Sequence, residues 1–164
     1  MSQVMIHKSA DWATIPPAVL DKIENITNTI RRKAYDLFQG RNGNGGSEVQ
    51  DWLQAERETV SVPAAELLDS NKDVQLKVAV PGFEAKEIEV TATPGELVIR
   101  AESRHTHEGQ KANVAFCEFA DKTLFRRVAL PADINVDKVS ASLDKGILQV
   151  VAPKAVQALS GAAA

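Results

Sequence analysis

At Pro63 the spacing of the apolar residues changes from three and four to two, and it holds at two as far as Pro153. Val74, Leu76, Val78 and Val80 alternate with Gln75, Lys77 and Ala79 before Pro81-Gly82. Ile88, Val90 and Ala92 alternate with Glu87, Glu89 and Thr91 before Pro94-Gly95. Leu97, Ile99 and Ala101 follow, then Val114, Phe116 and Glu118, then Leu124, Val128 and Leu130 before Pro131. Val139, Ala141 and Leu143 precede Lys145-Gly146, and Leu148, Val150 and Ala152 precede Pro153. Successive side chains of a strand point to opposite faces, so each run buries one face and wets the other. About seven or eight short strands, punctuated by turn residues, predict a mainly β chain folded as an antiparallel β-sandwich over residues 62–154.

The residues before Pro63 keep a different period. Val19, Leu20, Ile23, Ile26, Ile30, Ala34, Leu37 and Phe38 recur at helical spacing, which predicts a helix over about 16–39. Pro16 and Pro17 suit its first turn, where a missing N–H is harmless, and Gly40 stops it. Arg41-Asn42-Gly43-Asn44-Gly45-Gly46 is a flexible turn, and Ser47-Glu48-Val49-Gln50 has the spacing of a capping box opening a second helix over 48–60. Residues 1–61 therefore read as an N-terminal arm carrying a helical hairpin, and 155–164 as a mobile tail rich in alanine.

Nineteen Lys and Arg against 22 Asp and Glu leave a formal charge of −3. A binder held mainly by phosphates is usually basic, so nucleic acid is a poor partner, and the Arg31-Arg32-Lys33 run reads as a solvated helix face. No apolar run approaches the length of a membrane span or of a signal peptide core, and Cys117 has no second cysteine to pair with. A soluble protein of a reducing compartment, the cytoplasm, is the expectation.

The sequence offers little catalytic chemistry. The glycine turn lacks the Lys-Ser/Thr pair of a nucleotide loop and follows a helix rather than a strand. His105-Thr106-His107 supplies two metal ligands without a third at ligand spacing, so no metal and no cofactor are expected. Cys117, with no activating partner in view, reads as a buried or half-buried thiol in a strand. Arg126 breaks the apolar row Leu124, Val128, Leu130. It is either a sheet-edge arginine whose head reaches water or an interface arginine paired with a carboxylate. The chain is not expected to be an enzyme.

Several ordered motifs carry a family resemblance. Ala141-Ser142-Leu143-Asp144-Lys145-Gly146-Ile147-Leu148 is similar to the Ala-x-x-x-(Asn/Lys/Asp)-Gly-(Val/Ile)-Leu signature of the small heat-shock proteins, the α-crystallin family. Val80-Pro81-Gly82-Phe83 with Glu87-Ile88-Glu89-Val90 resembles that family's Pro-Gly segment and following strand. Phe125-Arg126-Arg127-Val128-Ala129-Leu130-Pro131 resembles its Arg-x-Phe-x-Leu-Pro strand, with Arg126 on the arginine. The likeness covers roughly Val62 to Lys154, and Pro153-Lys154 closes it. The hairpin, Ile30-Arg31-Arg32-Lys33-Ala34-Tyr35-Asp36-Leu37-Phe38, a short glycine turn, then Asp51-Trp52-Leu53-Gln54-Ala55-Glu56-Arg57-Glu58, resembles a small bacterial helical-hairpin module of unknown function, which suggests a bacterial source.

The resemblance implies an immunoglobulin-like sandwich and an ATP-independent holdase that binds partly unfolded clients and works as a dimer or larger homo-oligomer. Candidate client-binding residues are Trp12, Ile15, Ile23, Ile26, Ile30, Phe38, Trp52 and Leu53, although the same residues suffice to pack the hairpin on itself. The resemblance also implies a dimer built by a strand crossing to the partner's sheet, here Val114 to Phe119, with Val114, Phe116, Phe119 and Arg126 at the interface. A docking groove is expected along Ile88, Val90, Val139, Ala141 and Leu143. The family's C-terminal Ile-x-Ile latch is missing: Val156-Gln157-Ala158-Leu159 has the wrong spacing. Val4 and Ile6 do stand two apart, and either dock in the groove by strand addition or belong to a disordered terminus. A different class stays open, a non-enzymatic adaptor whose hairpin docks one specific partner.

Overall fold

The computed structural model describes residues 1–42, 44–107, 113–117 and 121–156. Among the described residues are nine strands and two α-helices: β1 (Ser2–Gln3), β2 (Met5–Lys8), α1 (Pro17–Gly40), α2 (Glu48–Thr59), β3 (Ala65–Asp69), β4 (Asp73–Ala79), β5 (Ile88–Thr93), β6 (Glu96–Ser103), β7 (Lys122–Ala129), β8 (Ser140–Asp144) and β9 (Ile147–Pro153). They form a five-stranded sheet, β1-β8-β9-β4-β3, and a four-stranded sheet, β2-β5-β6-β7.

The two sheets bury their inner faces against each other. The period-two residues Val74, Leu76, Val78 and Val80 meet Ile88, Val90, Ala92, Leu97 and Ile99 in one continuous core with Leu148, Val150 and Ala152. Lys145 and Gly146 both take positive φ, 47° and 78°, which gives the β8–β9 hairpin a tight turn whose twist matches its strands. Gly146 also lies against Pro81, whose Cα is 3.7 Å from the place a Cβ would take.

The helices begin where capping chemistry puts them. Pro17 opens α1. Ser47 Oγ accepts the Gln50 N–H, and the Gln50 side chain accepts the Ser47 N–H at 3.2 Å, so two orphan donors of α2 are satisfied reciprocally. Ile30, Ala55 and Val60 form a second small core with Ile26, Ala34, Leu37 and, from the outer face of β7, Phe125. The hairpin therefore packs on the sandwich as well as on itself.

One sequence expectation needs correction: Cys117, read as a buried or half-buried thiol in a strand, is exposed and lies in no strand. Within the N-terminal arm, Ser2–Gln3 and Met5–Lys8 are strands, one in each sheet, and Ser61 bridges to Leu124 on β7. Residues 113–117 carry no strand within the single chain, and Phe119 is outside the described residues. The tail beyond residue 156 is likewise outside the described residues. β3, which period-two reading did not find, forms one edge of the larger sheet.

Candidate functional site

The five groove residues come together, and the chain's own N-terminus lies on them. Ile88 and Val90 on β5, with Val139 and Ala141 at β8, are buried, and Leu143 is half-buried. β1 pairs antiparallel with β8, Ser2 opposite Leu143 and Gln3 opposite Ser142. β2 pairs parallel with β5, Met5 opposite Glu89 and Ile6 opposite Val90. The segment thus leaves one sheet and joins the other at Val4. There the Val4 N–H donates to the Ala141 carbonyl at 3.1 Å and the side chain enters the core, 6% exposed. Ile6 packs against the same core, while Met5 points out, 61% exposed. Alternation decides which residues enter: Val4 and Ile6 share a face and Met5 takes the other. Ser9 N–H to Ala92 O at 3.0 Å and Lys8 Nζ to Asp137 O at 2.6 Å hold the far end.

The hairpin covers the outer face of the smaller sheet. Thr91, Thr93, Val98 and Arg100 stand on strands β5 and β6 at positions alternate to the inner core, and all are buried. Lys22 of α1 pairs with Glu89 at 2.7 Å, and Trp12 donates its indole N–H to Glu96 at 2.7 Å. Arg127 pairs with the same Glu96 and lies 5.2 Å over the Trp12 ring. Within the hairpin, Lys33 pairs with Glu58 at 2.9 Å, and Arg41 pairs with the buried Asp51 across the glycine turn.

This placement sorts the eight candidate client-binding residues. Ile15, just ahead of α1, and Ile30 on it are buried and carry no accessible surface of use; they serve packing, a reading the sequence had left open. Trp12, Ile23 and Ile26 are half-buried. Phe38, Trp52 and Leu53 are exposed, as are Val49 and Tyr35. Ala34, Tyr35, Phe38 and Trp52 line an open cleft of about 360 Å3 together with Arg31, Glu48 and Asp51. Tyr35 and Phe38 stack, with ring centroids 6.5 Å apart.

Under the hairpin lies a charge network that pattern reading missed. Arg100, its side chain only 10% exposed, donates to Glu89 and to Glu102, each at 3.0 Å, and Arg104 donates to Glu102 at 3.2 Å. Burial by itself would raise the Glu89 carboxyl, but hydrogen bonds from Lys22 and Arg100 and their charges outweigh it and hold it below the ordinary value. Glu102 follows the same logic, with burial opposed by Arg100 and Arg104. The signal was the register: Glu89 stands opposite Arg100 in the β5–β6 ladder.

Arg126 is half-buried on the edge strand β7. Its Nη1 donates to the Pro63 carbonyl at 2.7 Å, tying the edge strand β7 to the chain that enters the sandwich from α2. Val114 and Phe116 are exposed, Phe116 at 79%. In the same segment Cys117 joins the two histidines: Sγ is 3.4 Å from His105 Nε2. Among the described residues no helix is long and apolar enough to cross a membrane.

Residues 66–161 match the Hsp20/alpha crystallin family, and residues 27–59 match a protein family of unknown function (DUF2934). The chain is similar to small heat shock protein C2 of Rickettsia felis, 27% identical over 96 residues, which covers 58% of this chain and 62% of that relative, less than two thirds of its length. It is similar to the 16.9 kDa class I heat shock protein 1 of Triticum aestivum, 30% identical over 112 residues, 68% of this chain and 69% of the relative. Among solved structures, heat shock protein 16.0 from Schizosaccharomyces pombe is 25% identical with a TM-score of 0.48, covering 57% of this chain and 87% of that one.

Proposed function

Because the chain belongs to the Hsp20/alpha crystallin family, we propose that it is an ATP-independent holdase, binding partly unfolded proteins and limiting their aggregation as a dimer or larger homo-oligomer. The observation that supports this most is the uncovered apolar face of the hairpin, where Tyr35, Phe38, Trp52 and Leu53 stay exposed. Contiguous exposed apolar surface is a docking surface for other apolar chains, and segments with modest burial open at small free-energy cost.

Assembly follows from the sheet edges. β3 is an edge strand with Leu67 and Leu68 exposed, and an unprotected edge invites a strand from another copy. The segment carrying Val114 and Phe116 is the strand we propose to supply it, in a two-fold exchange. The N-terminal strands, Val4 and Ile6 in the lead, act as the groove's own occupant, the place the family's C-terminal Ile-x-Ile latch would take. Nothing in this reading calls on a nucleotide, a nucleic acid or a membrane, and the cytoplasm is the compartment proposed.

The test is light scattering from a heat-destabilised enzyme mixed with this protein at near-stoichiometric ratio without ATP, with the chaperone's mass measured on the same sample. Suppressed aggregation, weakened by Phe38→Ser/Trp52→Ser, is the expected result. A folded protein that suppresses nothing would overturn the holdase and leave the adaptor with one specific partner.

A further inference from the structure

Away from the groove and the hairpin, the fold brings three metal-ligating side chains to one point. His105 and His107 follow β6, and Cys117 comes ten residues after His107 in the same connection to β7. One ligand atom from each lies within 4.8 Å of the others. Cys117 Sγ and His105 Nε2 are 3.4 Å apart, and the two imidazoles meet edge to face with centroids at 4.7 Å. From the other side, Asp121 accepts the His105 backbone N–H at 2.8 Å and ties the start of the connection to its end.

We propose that His105, His107 and Cys117 bind one divalent transition-metal ion of the zinc class. The reason is in the distances and in the donors. Zinc binds nitrogen at about 2.0–2.1 Å and sulfur at about 2.3 Å, so neighbouring donors of a tetrahedral ion stand roughly 3.5 Å apart. The sulfur–imidazole pair already has that separation. The remaining spacing closes by little more than an ångström, in an exposed segment where side chains turn without repacking a core. Imidazole and thiolate select zinc, copper or nickel over magnesium and calcium, which prefer oxygen. Binding takes the thiol's proton into solvent, and three protein donors leave a fourth position for water.

A sulfur–imidazole hydrogen bond and an edge-to-face histidine pair also account for the arrangement without any metal, so the experiment must separate the two. Untagged full-length protein, reduced with a phosphine and stripped by chelator, is titrated with Zn2+ against a chromophoric competitor, and separately with Co2+. The expected result is one ion per chain and a thiolate-to-cobalt charge-transfer band. Cys117→Ser removes the band, and His107→Ala weakens zinc by more than the roughly 10–100-fold that loss of an outer-sphere partner costs. His7→Ala, on β2 and outside the cluster, binds as the parent does, and Mg2+ does not compete. No uptake by the parent protein overturns the proposal, as does a cobalt complex without the sulfur band or equal loss in His7→Ala. The parent titration decides the matter by itself if a variant misfolds.

Discussion

If the N-terminal strand is held by its alternation, Val4→Ala and Met5→Ala must differ sharply although they are neighbours. Val4 is buried in the core between the sheets and Met5 faces water. Val4→Ala deletes the equivalent of two methylenes from a dry site. At about 0.8 kcal/mol for each, the loss is roughly 1.6 kcal/mol before any cavity term, and that term is small because a terminal strand settles inward. Every 1.4 kcal/mol is tenfold in an equilibrium, so detachment of residues 2–9 should become about tenfold more frequent. Met5→Ala should stay within about 0.5 kcal/mol. Native-state hydrogen exchange reads this directly, because the Val4 amide donates to Ala141 and the Ser9 amide to Ala92. Exchange at those amides should rise about tenfold in Val4→Ala and hold steady in Met5→Ala. Equal exchange in the two variants would refute the assignment of Val4 to the core and of the N-terminus to the groove.

Two further predictions follow from the outer face and the β7 edge. Glu89 has a folded-state carboxyl held below its ordinary value, so its stabilising contribution is complete above the unfolded value of about 4.3 and is lost as pH falls through the lower folded value; a thermal melt followed over that range should show the loss in the parent, and a smaller one in Glu89→Gln. Arg126→Ala leaves the Pro63 carbonyl without its charged donor, which costs about 1–2 kcal/mol and lowers Tm by roughly 2–4 °C per kcal/mol, while Arg126→Lys recovers part of it; a melt unchanged in Arg126→Ala would show that the bond does not hold the edge.

What the sequence made legible is what local physics specifies. Period-two runs needed no partner to be read, since the core residues Val74 to Val80 and Ile88 to Ala92 alternate whatever they pack against. The capping box at Ser47 and the glycine turn at Lys145-Gly146 were equally local. β3 escaped because Leu67 and Leu68 are adjacent rather than alternate, and an exposed edge strand has no buried face to impress a pattern on its sequence. The motifs behind the family resemblance are themselves such local devices, turns and strand faces, which is why they could be read in order along the chain.

The sites depended on distances that no window along the chain contains. Ile30 shares the helical period of Ile23 and Ile26, yet it is buried and they are half-buried. A helix with one apolar stripe cannot say which part of that stripe a sheet will cover. The answer comes from polar pairs far apart in sequence: Lys22 with Glu89, and Trp12 with Glu96 and Arg127. Glu89 also stands opposite Met5 in the parallel ladder that seats the N-terminus. Strand β5 therefore holds the N-terminal segment along its edge and α1 on its outer face, through neighbouring positions of a single strand. Glu89 itself answers to both parts of the N-terminal segment, to Met5 through the ladder and to Lys22 of α1 through an ion pair, a convergence of three stretches of chain that no local window could reveal.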